Sequence, residues 1–179
     1  LVYFSTLFSD FSNHFNQKIR WDMSEAEWTE LVLSYFAEQA KLETAEPIRE
    51  YMLVDQVWRG RWQELVFALE HEHGTDVNEL LTHEVAHLVD LRAKQKVGIF
   101  YPNLGDENDL MEGIKKRISS VGLFFPLQEE YMFILGFSTR KQGRPAIKFK
   151  GYILDKTGKQ TDLKEAEIFQ AVKSPTSSA

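Results

Sequence analysis

At 179 residues, 43% apolar and 27% charged, the chain can close one hydrophobic core and is too short for two full domains. Thirteen Phe, six Tyr and four Trp beside ten Gly and five Pro exclude a disordered, collagen-like or linker protein, and the lack of Cys excludes disulfides, a thiolate nucleophile and Cys-ligated zinc. The net charge of −6 argues against a generic nucleic-acid coat, yet it is uneven: Asp22 to Asp90 holds sixteen acidic against four basic side chains, whereas Ser138 to Gln160 holds seven basic against Asp155 alone.

No apolar run approaches the ~18–20 residues of a membrane span, so no membrane phase is expected and the cytoplasm is the expected compartment. The sequence opens on Leu1 rather than Met, so the natural chain is expected to begin earlier. Residues 1–22 read as an N-terminal helical segment. Tyr3, Leu7, Phe8, Phe11 and Phe15 recur at near-helical spacing, a face that packs on the body or on a partner, a second copy of the chain included. Residues 23–173 read as one α/β domain, and residues 174–179 as a disordered tail.

Ser24 and Glu27 form a capping box, after which Trp28, Leu31, Val32, Tyr35 and Phe36 carry helical period to about Lys41, and Glu46-Pro47 ends the segment. Tyr51–Trp58 and Glu64–Leu69 are apolar on both faces and predict two buried strands that reverse at Arg59-Gly60-Arg61 into an antiparallel pair. Asp76 can cap a helix with Leu80, Leu81, Val85, Leu88 and Leu91 on one face, running through Ala93. A strand over Lys96–Tyr101 follows and stops at Pro102. Asp106 can start a further helix carrying Leu110, Met111, Ile114 and Ile118. Tyr131–Phe137 and Ala146–Leu154 then predict two strands joined by the basic turn RKQGRP. The order predicts an α/β fold with a mixed central sheet flanked by helices.

Chemistry concentrates around the first strand pair. Asp55 interrupts an apolar strand, and the next strand ends in Glu70-His71-Glu72-His73. Side chains alternate along a strand, so Glu70 and Glu72 are expected to share a face with Val66 and Ala68, opposite His71 and His73. A hairpin would bring Asp55 to the two glutamates. Three close carboxylates stay ionised together only when a cation neutralises them, and an all-oxygen set suits Mg²⁺ or Mn²⁺. By helical counting Glu25 shares the face of Trp28, Val32 and Phe36 and is expected to face the body.

The series of a helix with an early Glu, a strand with Asp55, a strand ending Glu70-x-Glu72, a helix and a strand directly after it resembles the core of the PD-(D/E)xK nuclease superfamily, the restriction-endonuclease-like fold. LVFALEHEHG resembles its motif-bearing strand and EVAHLVDLRAKQKVGIFYP the helix and strand that follow, together spanning Ser24 to Pro102. The resemblance implies Mg²⁺-dependent phosphodiester hydrolysis, in DNA, with Glu25, Asp55 and Glu70 as metal ligands and Asp55, Glu70 and Glu72 as the catalytic acids. Glu72 stands where the family places Lys, so a non-cleaving interaction module of the same fold is the alternative. Glu84 and His87 on the next helix are candidate supporting groups. Arg140, Lys141, Arg144, Lys148 and Lys150, with Lys156 and Lys159 beyond them, would lie along the phosphate backbone.

His83-Glu84-Val85-Ala86-His87 also matches H-E-x-x-H. On one helix it would offer two imidazoles to Zn²⁺ and Glu84 as general base, making a zinc peptidase with Glu107 or Glu112 as third ligand. That reading leaves Asp55, Glu70 and Glu72 without a role. Neither a phosphate-binding glycine loop nor a G-x-S-x-G elbow is present.

Overall fold

The computed structural model describes residues 2–122 and 129–169, and the expected tail at 174–179 lies outside them. Two helices lead, α1 (Phe4–Lys18) and α2 (Glu25–Leu42), followed by strands β1 (Glu46–Tyr51), β2 (Val54–Arg59) and β3 (Leu65–Glu72). Short helices α3 (Val77–Thr82) and α4 (Glu84–Asp90) precede β4 (Gln95–Phe100), and α5 (Glu107–Gly122) precedes β5 (Glu130–Lys141), β6 (Arg144–Asp155) and β7 (Gln160–Ile168). The strands form one seven-stranded sheet in chain order. Its centre, β3, β4 and β5, is parallel, and each flank is an antiparallel meander, so the sheet is mixed as the sequence predicts.

Helices cover both faces. On one face α1 and α2 bury Leu7, Phe8, Phe11, Phe15, Val32 and Phe36 against Trp58, Phe67, Val97, Ile134 and Phe149. On the other, α3, α4 and α5 bury Leu80, Val85, Leu88, Leu110 and Ile114 against Ala68, Phe100, Phe133 and Leu135. Each fully buried residue of this size stabilises the fold by about 1.5–3 kcal/mol, and α1 supplies five of them. The N-terminal helix is therefore part of the core. Its buried face starts at Phe4 rather than at Tyr3, which is 84% exposed.

Three elements depart from the sequence reading. The expected strand over Tyr51–Trp58 is two strands, because the chain reverses at Met52-Leu53 and pairs Tyr51 with Val54. Pro47 is accommodated because β1 is an edge strand. The expected single helix from Asp76 to Ala93 is interrupted at His83, which with φ of −112° and ψ of −74° is both the C-cap of α3 and the N-cap of α4. Finally, β7 extends the sheet where no strand was expected, its sequence QTDLKEAEI being largely charged. No described helix is long and apolar enough to cross a membrane.

Among the described residues Lys96 is fully buried. Its ammonium bonds the Glu129 carboxylate at 2.8 Å, the Val89 carbonyl at 2.8 Å and the Tyr131 hydroxyl at 3.3 Å, so its donors are satisfied at the start of β4.

Candidate functional site

Ligands of open α/β sheets bind outside the carboxyl ends of the parallel strands. Here that edge is formed by the ends of β3, β4 and β5, and it collects most of the acids singled out from the sequence. The β2–β3 ladder runs as far as Gln56 opposite Leu69 and then gives way to side chains. The Asp55 N–H donates to Glu70 Oε2 at 3.3 Å, and the His71 N–H donates to Asp55 Oδ2 at 2.8 Å. Carboxylates thus take over where main-chain carbonyls stop, which fixes Asp55 and Glu70 beside one another across the hairpin.

On the α4 side Glu70 also meets the Glu84 carboxyl, a contact that favours the protonated form of Glu70. Burial, the Glu84 bond and the nearby Asp55 charge together push Glu70 far above the carboxylate range. Asp55 is raised as well, first by burial and then by the charges of Glu72, Glu84 and Glu50, with the His71 N–H bond opposing. Glu72 accepts the Gly74 N–H at 2.7 Å. Beside it lies a small cleft of about 130 Å³ lined by Glu72, Gly74, Asp76, Glu79, Leu80 and Glu84. The structure therefore brings together Asp55, Glu70, Glu72 and Glu84. Of these, Glu84 was expected only as a supporting group; Glu50, whose charge also acts on Asp55, was not expected at all. Among the described residues no three His, Asp or Glu side chains are arranged as a ready metal cage. The donor set is all oxygen, partly tied to backbone N–H groups and to a shared proton, and its chemistry fits a hard dication that displaces that proton.

Glu25 departs from expectation. It is exposed in the first turn of α2, and its charge and main chain act on His73, on the opposite face of β3, while the groups acting on Asp55 and Glu70 do not include it. At a helix end that faces solvent, helical counting alone does not decide which way a side chain looks. Val66 also departs: it packs on the α1–α2 face with Phe67, beside the register shift at Trp58 and Arg59, whereas Ala68 keeps the predicted side.

Behind the acids stands an aromatic group. His71 Nε2 lies 3.1 Å from the Tyr101 hydroxyl, and His73 stacks on Tyr101 with ring centres 5.0 Å apart. Trp28 meets both His73 and Tyr101 at 5.9 Å. Burial holds the His71 imidazole down at about 3, with His73 adding, so it is neutral. His71 Nδ1, His73 Nε2 and Trp28 Nε1 are buried without partners.

The H-E-x-x-H segment is not on one helix. His83 is the exposed junction residue, its ring centre 6.3 Å from that of the half-buried His87, and Glu84 is turned to Glu70. Glu107, an expected third zinc ligand, is held by Lys150 at 2.7 and 2.8 Å and by the Tyr152 hydroxyl.

The basic segment does not form one stripe. Lys141 pairs with Glu167, Lys148 with Glu165 at 2.9 Å, and Lys150 with Glu107. Lys156 and Lys159 lie at the far end of β6, about 35 Å along the strand from Arg144. Arg140 and Arg144 remain exposed and unpaired among the described residues, at the tip of the β5–β6 hairpin.

No family model matches the chain, and no curated protein matches it. Among solved structures, the central domain of yeast acetyl-CoA carboxylase aligns with a TM-score of 0.38 and 10% identity over 72% of this chain, which spans 25% of that chain. A likeness at that level carries no argument for fold family or function.

Proposed function

We propose that the protein is a Mg²⁺- or Mn²⁺-dependent nuclease of restriction-endonuclease-like fold, acting on phosphodiester bonds of DNA. The observation that carries this reading is the convergence of Asp55, Glu70 and Glu84 at the carboxyl edge of the sheet, with Glu72 acting on Asp55, at a point where burial and mutual repulsion leave the acids short of positive charge. The chain order α2, β1, β2 with Asp55, β3 with Glu70-x-Glu72, α3–α4 and a parallel β4 supports it further.

Asp55, Glu70 and Glu84 would hold a divalent ion, which when bound would supply neutralisation of the phosphodiester charge and a more acidic water. The His71 N–H fixes the Asp55 carboxylate, and Glu72, two residues beyond Glu70 on the same face of β3, orients the attacking water. Glu84 bonded to Glu70 is used by this reading and withdrawn from the zinc-peptidase one.

The test is cleavage of labelled DNA with Mg²⁺ or Mn²⁺ by wild type, Asp55→Asn and Glu70→Gln. Both substitutions are expected to abolish cleavage and Mn²⁺ binding while the unfolding transition stays cooperative. Cleavage that survives either substitution refutes the site, and a wild type that binds neither ion identifies a non-cleaving module.

A further inference from the structure

The reversal between β1 and β2 is made by the wrong residues for its geometry. Tyr51 pairs with Val54, leaving Met52 and Leu53 as a two-residue turn with φ of +47° and +72°. Positive φ at both positions is the type I′ pattern, which Asn-Gly or Gly-Gly adopts without strain and bulky side chains adopt at a cost. Glu50, at φ +51°, adds a third left-handed residue, and the ladder passes from Arg49–Gln56 straight to Tyr51–Val54. What the strain secures is exposure. Met52 is 68% and Leu53 75% exposed, two uncharged side chains held out at the tip of the hairpin. The tip precedes Asp55 by two residues and stands at the same edge of the sheet as the acids.

The same edge carries a second projection. β5 and β6 continue beyond β4, whose last pair is Phe100 with Leu135, and end in the unpaired Arg140 and Arg144. By register the apolar tip on β2 is level with Leu135, so with strands about 4.8 Å apart and Arg140 five residues further along β5, the tip and the arginines at the β5–β6 turn are roughly 20 Å apart, with the acids on the tip's side. Two side chains are far too small a patch for a second copy of the chain, which needs about 800 Å² per partner.

We infer that Met52 and Leu53 form a wedge that enters a base step of a nucleic-acid duplex while Arg140 and Arg144 hold its backbone. Apolar side chains of this kind unstack base steps and kink duplexes. The inference rests on the nuclease reading and gives it a substrate class: double-stranded, opened locally beside the scissile bond.

The test compares wild type with Met52→Asn/Leu53→Gly on a duplex carrying 2-aminopurine and on the matching single strand. The variant receives residues that suit the turn, so its thermal midpoint is expected to equal or exceed that of wild type. With Ca²⁺ in place of Mn²⁺, wild type should raise the 2-aminopurine fluorescence of the duplex on binding, and the variant should not. With Mn²⁺, duplex cleavage by the variant should fall at least about tenfold while single-strand cleavage changes less than about twofold, because only the duplex needs unstacking. Equal duplex cleavage by the two proteins, a fluorescence rise that survives substitution, or a parallel loss on both substrates overturns the wedge. A wild type that cuts neither substrate fails the nuclease reading itself, a different result from any of these.

Discussion

Glu70 concentrates the electrostatic cost of the site. It is 5% exposed, bonded to Glu84 and next to Asp55, so the folded chain holds a proton there that the unfolded chain releases in the ordinary carboxylate range. The folded state then binds more protons than the unfolded one above that range, and stability falls as pH rises, by up to about 1.4 kcal/mol per unit for one proton. His71 acts in the other direction: held at about 3, it stays neutral where the unfolded imidazole takes up a proton below its usual value near 6.5, so stability also falls as pH drops through the range between. Between about 4.5 and 6.5 the two effects offset one another, so denaturant titrations at pH 5, 6.5 and 9 should show similar stability at the first two values and a clear fall at pH 9. Glu70→Gln should remove the alkaline fall, and saturating Mn²⁺ should reduce it in wild type by taking the proton's place. An alkaline fall unchanged in Glu70→Gln would place the buried proton elsewhere. Asp55, Glu70 and Glu72 were legible in the sequence because acids in apolar strands need a reason. Glu84 was expected only as a supporting group, because its contact with Glu70 depends on how α4 crosses β3, which no local pattern records.

Elements whose pattern is locally self-consistent were the readable ones. The Ser24–Glu27 capping box closes as predicted, with the Ser24 N–H donating to Glu27 at 2.8 Å, and the periodic apolar face of α5 is buried as expected. The β1–β2 hairpin was hidden because Met52-Leu53 carries no turn residue, so two strands read as one. β7 was hidden because its alternating charges look like a solvated loop, while pairing with β6 is what makes it a strand. Helix α1 was read as a helix, but its role came only with the fold. Phe11 is fully buried and its ring lies within 5.7 Å of those of Phe15, Tyr35, Phe36 and Phe149. Phe11→Ala should destabilise the protein by about 3–5 kcal/mol in equilibrium unfolding. A loss under about 1 kcal/mol would mean that α1 docks loosely rather than completing the core.

At the level of the whole molecule, the charge asymmetry read from the sequence resolves into pairs and remainders. Lys141, Lys148 and Lys150 are matched by Glu167, Glu165 and Glu107, so they add little to the outward potential. Arg140 and Arg144 are the cations this arm leaves over. Replacing both by Ser should weaken DNA binding uniformly across sequences and lower the slope of log affinity against log salt by about two, one for each lost phosphate contact. Lys148→Ala should barely move that slope, and equal effects of the two changes would show that the ion pairs open on binding.

Both margins of the sheet are blunted. Pro47 removes a donor from β1, and Lys164, Glu165 and Glu167 line β7 with charge of both signs. Edge-to-edge annealing with neighbouring molecules is thereby discouraged at both margins, a protection that matters because thirteen phenylalanines are exposed each time the chain unfolds.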